Sequence, residues 1–324
     1  MQTLHSPTQA AEWLRQHVTG VLCTDSRAIQ KGDGFIAWPG MATDGRAYVA
    51  SAFEQGATAC LVEAEDCSQW QSAWQAAANK VPTQVAAYTG LKADTGWIAD
   101  AYYEQPSQAL KVLAVTGTNG KTSATWWLAQ ALNAMKLSVE GEALAPRCAI
   151  VGTLGVGQPP HLMSTGMTTP DPVLLQAQFR KFVAAGISHC AIEASSIGLA
   201  EQRLAGTHIQ LAMLTNFTQD HLDYHGSMAA YWQAKQALFA WPKLEIAVIN
   251  VDDVQGAKLA ADLSQRALTD TSAQALDLWT CSSQGQEARL QARHLTRNLT
   301  GLAFDVIEGQ ESVHLQTSLM GDYN

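Results

Sequence analysis

Leu110–Met135 reads LKVLAVTGTNGKTSATWWLAQALNAM, and the rest of the chain is organised around it. Val112 to Val115 is an apolar run that ends in a Gly-rich turn. Beyond the turn, Ala124, Trp127, Leu128, Ala131, Leu132 and Met135 recur at helical spacing. The pattern predicts a strand, a tight loop and an amphipathic helix. The loop is Gly117-Thr118-Asn119-Gly120-Lys121-Thr122, with Ser123 entering the helix. Its backbone N–H groups would converge on an anion at the positive end of that helix. Lys121 adds a mobile cation for terminal phosphates, and Thr122 offers a hydroxyl to Mg²⁺. The common pattern G-x-x-x-x-G-K-[ST] would place its first glycine where this chain has Val115. The glycine comes two residues later, so this is a shorter variant. A Gly-rich turn with a surface lysine is the ordinary alternative. Strand, turn, Gly-Lys-Thr and helix together favour phosphate.

At 324 residues the chain suggests about two domains. Gln105-Pro106-Ser107 breaks the pattern just ahead of the loop strand, so the expected division is 1–108 and 109–324. In the first part, Ser6-Pro7-Thr8-Gln9 starts a helix that runs from Ala10 to His17. Strands are expected at Phe35 to Trp38 and Ala59 to Val62. Helices are expected at Tyr48 to Gln55, closed by Gly56, and at Asp94 to Tyr103. Asp25-Ser26-Arg27 and Asp44-Gly45-Arg46 follow strand ends, where open α/β sheets hold ligands. Capping and surface pairing would explain Asp25 and Arg27 equally well.

The second part alternates strands and helices. Val151 to Gly157 is a Gly-rich strand end, followed by a polar loop from Met163 to Asp171. A helix from Val173 to Ala185 is closed by Gly186. Apolar runs at Ser188 to Ala194, Ile209 to Thr215 and Glu245 to Val251 read as strands. This alternation predicts a mostly parallel sheet with covering helices, and Glu193 and Asn216 at strand ends facing the loop. Near the end, Leu302, Phe304 and Val306 alternate, as do Val313, Leu315, Thr317 and Leu319, around a Gly309-Gln310 turn. That is an antiparallel hairpin, expected to pack on one face. The fold class is therefore α/β: a small N-terminal α/β domain, then a phosphate-loop domain ending in a hairpin.

Bulk properties exclude several functions. Hydrophobic content of 47% with 15% charged residues argues against disorder. A net charge of −9 and no basic stripe exclude general nucleic-acid binding. None of the six cysteines forms a C-x-x-C pair, so neither zinc nor a disulfide framework is indicated, and a reducing cytosol fits. No basic-then-apolar leader is evident, and no apolar run approaches the ~20 residues that span a bilayer. Glu193 and His221 are candidate Mg²⁺ ligands, since that ion takes one or two side chains plus water and phosphate. A lone histidine is more often structural. Lys235, on a helix from Met228 to Phe239, reads as a solvent-facing lysine. The residues alone reach a nucleoside triphosphate, Mg²⁺ and phosphoryl transfer, and do not identify the acceptor.

The motifs together resemble the Mur ligases, ATP-dependent amide-bond-forming enzymes of peptidoglycan precursor synthesis. Thr116 to Thr122, TGTNGKT, is similar to their short phosphate loop, and Leu214 to Gly226, LTNFTQDHLDYHG, to a second signature. Asp25 to Arg27 with Asp44 to Arg46 resembles the uridine-binding domain of the members adding the third residue and the terminal dipeptide. Thr168 to Asp171 and Glu193 to Ser196 point to the former. That loop argues against the dipeptide-adding member and folylpolyglutamate synthase. The resemblance implies that ATP is bound at Gly117 to Ser123. It implies that a UDP-N-acetylmuramoyl dipeptide is held by Thr24, Ser26, Met41, Ala42, Thr43, Thr168, Thr169, Ser195, Glu201 and Arg203. Met167, Ile197 and Glu201 depart from the pattern of relatives. Mg²⁺ falls to Thr122, Glu193, His221 and Lys235, the last carbamylated, with Lys121, Lys235 and His221 as the catalytic set. The implied reaction joins a diamino acid, meso-diaminopimelate or lysine, through an acyl phosphate, in a cytoplasmic monomer. The family carries a third domain after a hinge that Gly321 to Asn324 resembles. A fragment that binds nucleotide and UDP-sugar without turnover is the competing expectation.

Overall fold

The computed structural model describes residues 1–40, 43–78, 84–139, 142–269 and 276–319. Met41, Ala42 and the hinge-like Gly321 to Asn324 lie outside the described residues. The chain forms two compact units. The first combines Met1–Leu110 with Pro170–Ser188 and Ala200–Thr207; the second holds Lys111–Thr169, His189–Leu199 and His208–Asn324. The chain passes between the units several times, so no single cut in the sequence separates them.

The first unit carries a five-stranded parallel sheet in the order Gln2–Leu4, Gln84–Tyr88, Ala59–Glu63, Gly34–Ala37, Leu22–Cys23. Alternate side chains serve two cores, as a sheet covered on both faces requires. Ile36, Ala59 and Leu61 join Trp13, Leu14 and Ile98. Phe35, Cys60 and Val62 join Val49 and Phe53. The Pro7–His17 helix begins as its sequence demands: Ser6 Oγ accepts from Gln9 N at 3.2 Å, and Pro7 occupies the first turn. The helix expected from Asp94 starts earlier, at Leu91, because Glu63 accepts from the N–H groups of Gly90 and Leu91 at 3.1 and 2.7 Å. Asp171 caps the Pro172–Ala184 helix through Val173 N and Leu174 N.

The second unit is built on an eleven-stranded sheet. Its order is His161–Met163, Gly155–Gln158, Cys148–Gly152, His189–Glu193, Lys111–Thr116, Leu211–Leu214, Ile246–Asn250, Asp277–Ser282, Leu290–Asn298, Gly301–Glu308, Glu311–Thr317. The middle pairs are parallel, and antiparallel hairpins close both ends. Pairing of Glu193 with Val115, and of Leu214 with Thr116, brings three strand ends together at the phosphate loop.

Two expectations need correction. The Lys121–Ala134 helix buries Thr125 and Ala129, whereas Met135 is 41% exposed. Small side chains let the helix sit close on the sheet, and Ala129 packs against Cys148, Ile150 and Ala191. Leu128 and Leu132 of the expected stripe do pack against that cluster, only partly buried, while the most buried positions are the small ones. The hairpin forms with Phe304 opposite Leu315 and Val306 opposite Val313. Its outer strand is not packed on one face, since Val313 is 59% exposed. The alternation is consumed in cross-strand pairing.

Candidate active site

The loop conformation depends on two glycines. Gly117 has φ +143° and Gly120 φ +83°, both in the left-handed region that glycine enters without steric penalty. A Cβ at Gly117 would also collide with Thr215 Oγ1. The end of the Leu211–Leu214 strand clamps the loop from the side. Asn216 O accepts from Thr118 N and Asn216 Oδ1 from Asn119 N, both at 2.9 Å. Thr215 Oγ1 donates to Asn119 O at 2.6 Å, and Thr118 Oγ1 donates to Thr218 O at 3.0 Å. Gly120 begins the Lys121–Ala134 helix, so the loop's N–H groups lie at the positive end of a helix dipole.

Lys121 and Lys235 both reach this loop. Lys121 Nζ donates to Gly117 O at 3.0 Å and Thr118 O at 2.9 Å. Lys235 Nζ donates to Gly117 O at 2.7 Å and lies 4.5 Å from the centre of the Tyr231 ring. Lys235 is buried, at 1% exposure, so its reading as a solvent-facing helix lysine is overturned. Burial and then the charge of Lys121 push its amine down to about 7, against the pull of Asp220. Burial also lowers Lys121, opposed by Glu193 and Asp220.

Glu193 ends its strand buried, accepting from Thr122 Oγ1 at 3.0 Å, Thr153 N at 2.8 Å and Thr153 Oγ1 at 3.3 Å. Thr168 Oγ1 lies 3.1 Å from Thr153 Oγ1. Thr169 Oγ1 donates to Glu193 O at 2.7 Å and lies 2.9 Å from Ser195 Oγ. A polar cavity of about 230 Å³ is lined by Thr118 to Thr122, Thr153, Thr168, Glu193, Ser195, Ser196, His221 and Lys235. His221 is half-exposed, in a left-handed conformation with φ +49°. Ser123 follows in the first turn of the helix.

The donor set suits Mg²⁺. Among the described residues no cluster of three His, Cys, Asp or Glu stands ready for a metal ion. A hard cation that keeps water and phosphate needs no such cluster. The buried Glu193 carboxylate and Thr122 hydroxyl are adjacent oxygen donors at the mouth of the phosphate loop.

The first unit gathers other candidates. Thr24 hydrogen-bonds the carboxyl of Asp171, and the charge of Arg203 acts on the same group; burial nevertheless raises Asp171 above the usual carboxylate range. Glu201 pairs with Lys92 at 2.6 Å. Ser26 opens a short 3-10 turn capped by Asp25, which also pairs with Arg27 at 2.6 Å on the surface. Thr43 O accepts from Gly40 N at 2.9 Å. Arg46 is buried, paired with Asp44 at 2.7 Å and bonded to the carbonyls of Glu63 and Glu65, so it braces the fold. Thr153 and Tyr231 are site residues that the sequence did not single out. Thr153 follows a strand end, and Tyr231 lies one helical turn before Lys235; neither signal separates them from other threonines and tyrosines.

A sheet with a parallel middle and a short phosphate loop, clamped by a TNF segment and faced by a buried glutamate, defines a phosphate-loop α/β fold. Residues 115–324 match the Mur ligase middle domain, and residues 17–92 match the Mur ligase family, catalytic domain. The chain belongs to the Mur ligase family. It is 57% identical to the UDP-N-acetylmuramoyl-L-alanyl-D-glutamate--2,6-diaminopimelate ligase of Acidovorax sp. (strain JS42), over 100% of this chain and 62% of the relative. It is 41% identical to the ligase of the same name from Janthinobacterium sp. (strain Marseille), over 97% of this chain and 59% of the relative. A solved structure of a ligase of that name superposes with a TM-score of 0.71 at 28% identity, covering 94% of this chain and 56% of the other. The chain thus spans about three fifths of the length of the curated relatives it matches.

Proposed function

We propose that this chain serves an ATP-dependent acid–amino acid ligase that joins 2,6-diaminopimelate to UDP-N-acetylmuramoyl-L-alanyl-D-glutamate. The names of its relatives support the substrate. The observation that carries the chemistry is the convergence of Lys121, Lys235 and the Glu193–Thr122 pair on one cavity. The phosphate loop and Lys121 hold the β- and γ-phosphates of ATP. Thr122, Glu193 and His221, with Lys235 as a carbamate, would hold Mg²⁺, which would neutralise charge on the transferring phosphoryl group. The γ-phosphoryl passes to the D-Glu γ-carboxylate. The amine of the diamino acid then attacks the acyl carbon, and phosphate leaves. Positioning and charge neutralisation supply the rate.

In this reading Thr168, Thr169 and Ser195 would contact the acyl end of the substrate, and Thr24, Ser26, Thr43 and Arg203 its UDP end. The proposed agent is a monomer and the proposed setting the cytoplasm. The neutral form of Lys235, favoured by its lowered value of about 7, would add CO₂ and release one proton to solvent, leaving an oxygen anion. Ligation assays with ATP, Mg²⁺, the UDP-muramoyl dipeptide and diaminopimelate test the reading, on this chain and on a longer one of the relatives' length. Amide product from the longer protein is expected. Nucleotide binding with no product from either would leave only a binding module. Lys235→Ala should lose ligation and partly regain it with added short carboxylates.

A further inference from the structure

Tyr231 lies in none of the phosphate-binding segments, yet it is fully buried at their centre. On the Met228–Gln236 helix it stands four residues before Lys235, so both side chains share one face. Its ring lies under Lys235, with Nζ 4.5 Å from the centroid. Its hydroxyl lies 3.3 Å from Thr118 Oγ1, the side chain that also pairs with both backbone groups of Thr218 at 2.9 and 3.0 Å. Phe217 and His225 pack on the ring at centroid distances of 5.1 Å, and His221 approaches edge-on at 6.1 Å. One side chain therefore touches the phosphate loop, the second lysine and the candidate metal-binding histidine.

We infer that Tyr231 is a positioning residue of the phosphoryl-transfer site, its ring fixing Lys235 Nζ beside Gly117 and its hydroxyl fixing Thr118 within the phosphate loop. The two roles are separable. A ring face attracts an ammonium through its quadrupole and takes no proton from it, so Lys235 is held in place with its amine still open to chemistry. The hydroxyl adds a tie that a phenyl ring lacks. The consequence for turnover rests on the ligase reading above; the positioning does not.

The test uses the full-length protein with Tyr231→Phe, Tyr231→Leu and Thr118→Val. The first readout is the rate at which Lys235 is acetylated by trace acetic anhydride at one fixed pH, followed by peptide mass against exposed lysines as internal reference. Tyr231→Phe should keep the wild-type rate, because the ring face 4.5 Å from Nζ remains. Tyr231→Leu, which removes the ring and frees the amine, should raise it about threefold or more. An unchanged or lowered rate in Tyr231→Leu, or an altered one in Tyr231→Phe, overturns the ring's role. The second readout is the Kd of Mg-ATP by calorimetry. Tyr231→Phe should weaken binding by about three- to tenfold, and Thr118→Val should cost less in that background than alone. Strict additivity overturns the hydroxyl link. If Tyr231→Leu does not fold, the Tyr231→Phe acetylation rate and the double-mutant cycle decide. Absence of amide product from wild type would count against the ligase reading and leave both readouts standing.

Discussion

Lys121 and Lys235 meet on one oxygen: their Nζ atoms lie 3.0 and 2.7 Å from the carbonyl of Gly117. They come from different helices, and the later one is buried beside the earlier. Two ammonium groups so placed oppose each other's charge. Lys121 is drawn back toward its charged form by Glu193 and Asp220, whereas Lys235 falls to about 7. On the proposed function the pair would divide the work: a cation for phosphate, and an amine lowered to about 7.

Lys121→Ala should reduce ligation at least 100-fold, in keeping with the loss of a charge aimed at the transferring group. The fold should persist with a loss of about 1–2 kcal/mol, since the amine ties down two loop carbonyls. Turnover and urea melts measure the two effects. Near-normal turnover would refute the role given to the phosphate loop.

Stability should depend on pH through Lys235. Its folded-state value, about 7, lies below the 10.5 of a free lysine, so the unfolded chain binds more protons between those limits. Burying the charge destabilises the fold in full below pH 7, and the penalty is relieved as pH rises toward 10.5. Urea melts of wild type and Lys235→Met should show Met the more stable at pH 6.5, by a margin that shrinks by pH 9.5, these being about the ends of the titration window. A constant margin would show that Lys235 does not titrate there.

Glu193→Gln keeps the shape of the side chain and removes its charge. Mg-ATP should bind at least about tenfold more weakly, while ATP in the presence of a chelator should bind as to wild type. Calorimetry with and without Mg²⁺ separates the two. Equal losses under both conditions would make Glu193 a brace for Thr122 and Thr153 and no metal ligand.

Gly117→Ala forces a side chain into a left-handed backbone and against Thr215 Oγ1. A loss of about 2–4 kcal/mol is expected, together with loss of nucleotide binding. Thermal melts and ATP titration report both. A variant of wild-type stability would mean that the loop can relax away from the clamp.

Thr24→Val and Arg203→Ala should each weaken UDP binding about five- to twentyfold, because both side chains act on Asp171 in the first unit. Calorimetry with UDP on the whole chain is the measurement. Unaltered affinity in both variants would place the uridine site elsewhere.

Local spacing determined much of this protein. The Ser6–Pro7 start, the Gly56 stop and the strand-loop-helix around Lys121 follow from short-range sterics and hydrogen bonding, and each stands where the sequence puts it. Within Ser188 to Ala194 the centre, Cys190 to Ile192, is apolar and buried, as a strand inside a parallel sheet requires. The face that the Lys121–Ala134 helix buries was not legible, because it depends on how closely the Cys148–Gly152 strand approaches. Asp25 and Asp44 head alike Asp-x-Arg segments, yet Arg27 lies on the surface and Arg46 in the interior. Only the carbonyls of Glu63 and Glu65, brought by another strand, make that difference.

The sequence by itself thus determined the parallel α/β framework, the phosphate loop and the strand ends that carry Glu193 and Asn216. Tertiary structure alone decided what those ends meet. Lys235 has the local signature of a solvated helix lysine. Strand order brings its helix under a loop 118 positions away, where burial and then the charge of Lys121 lower its amine to about 7.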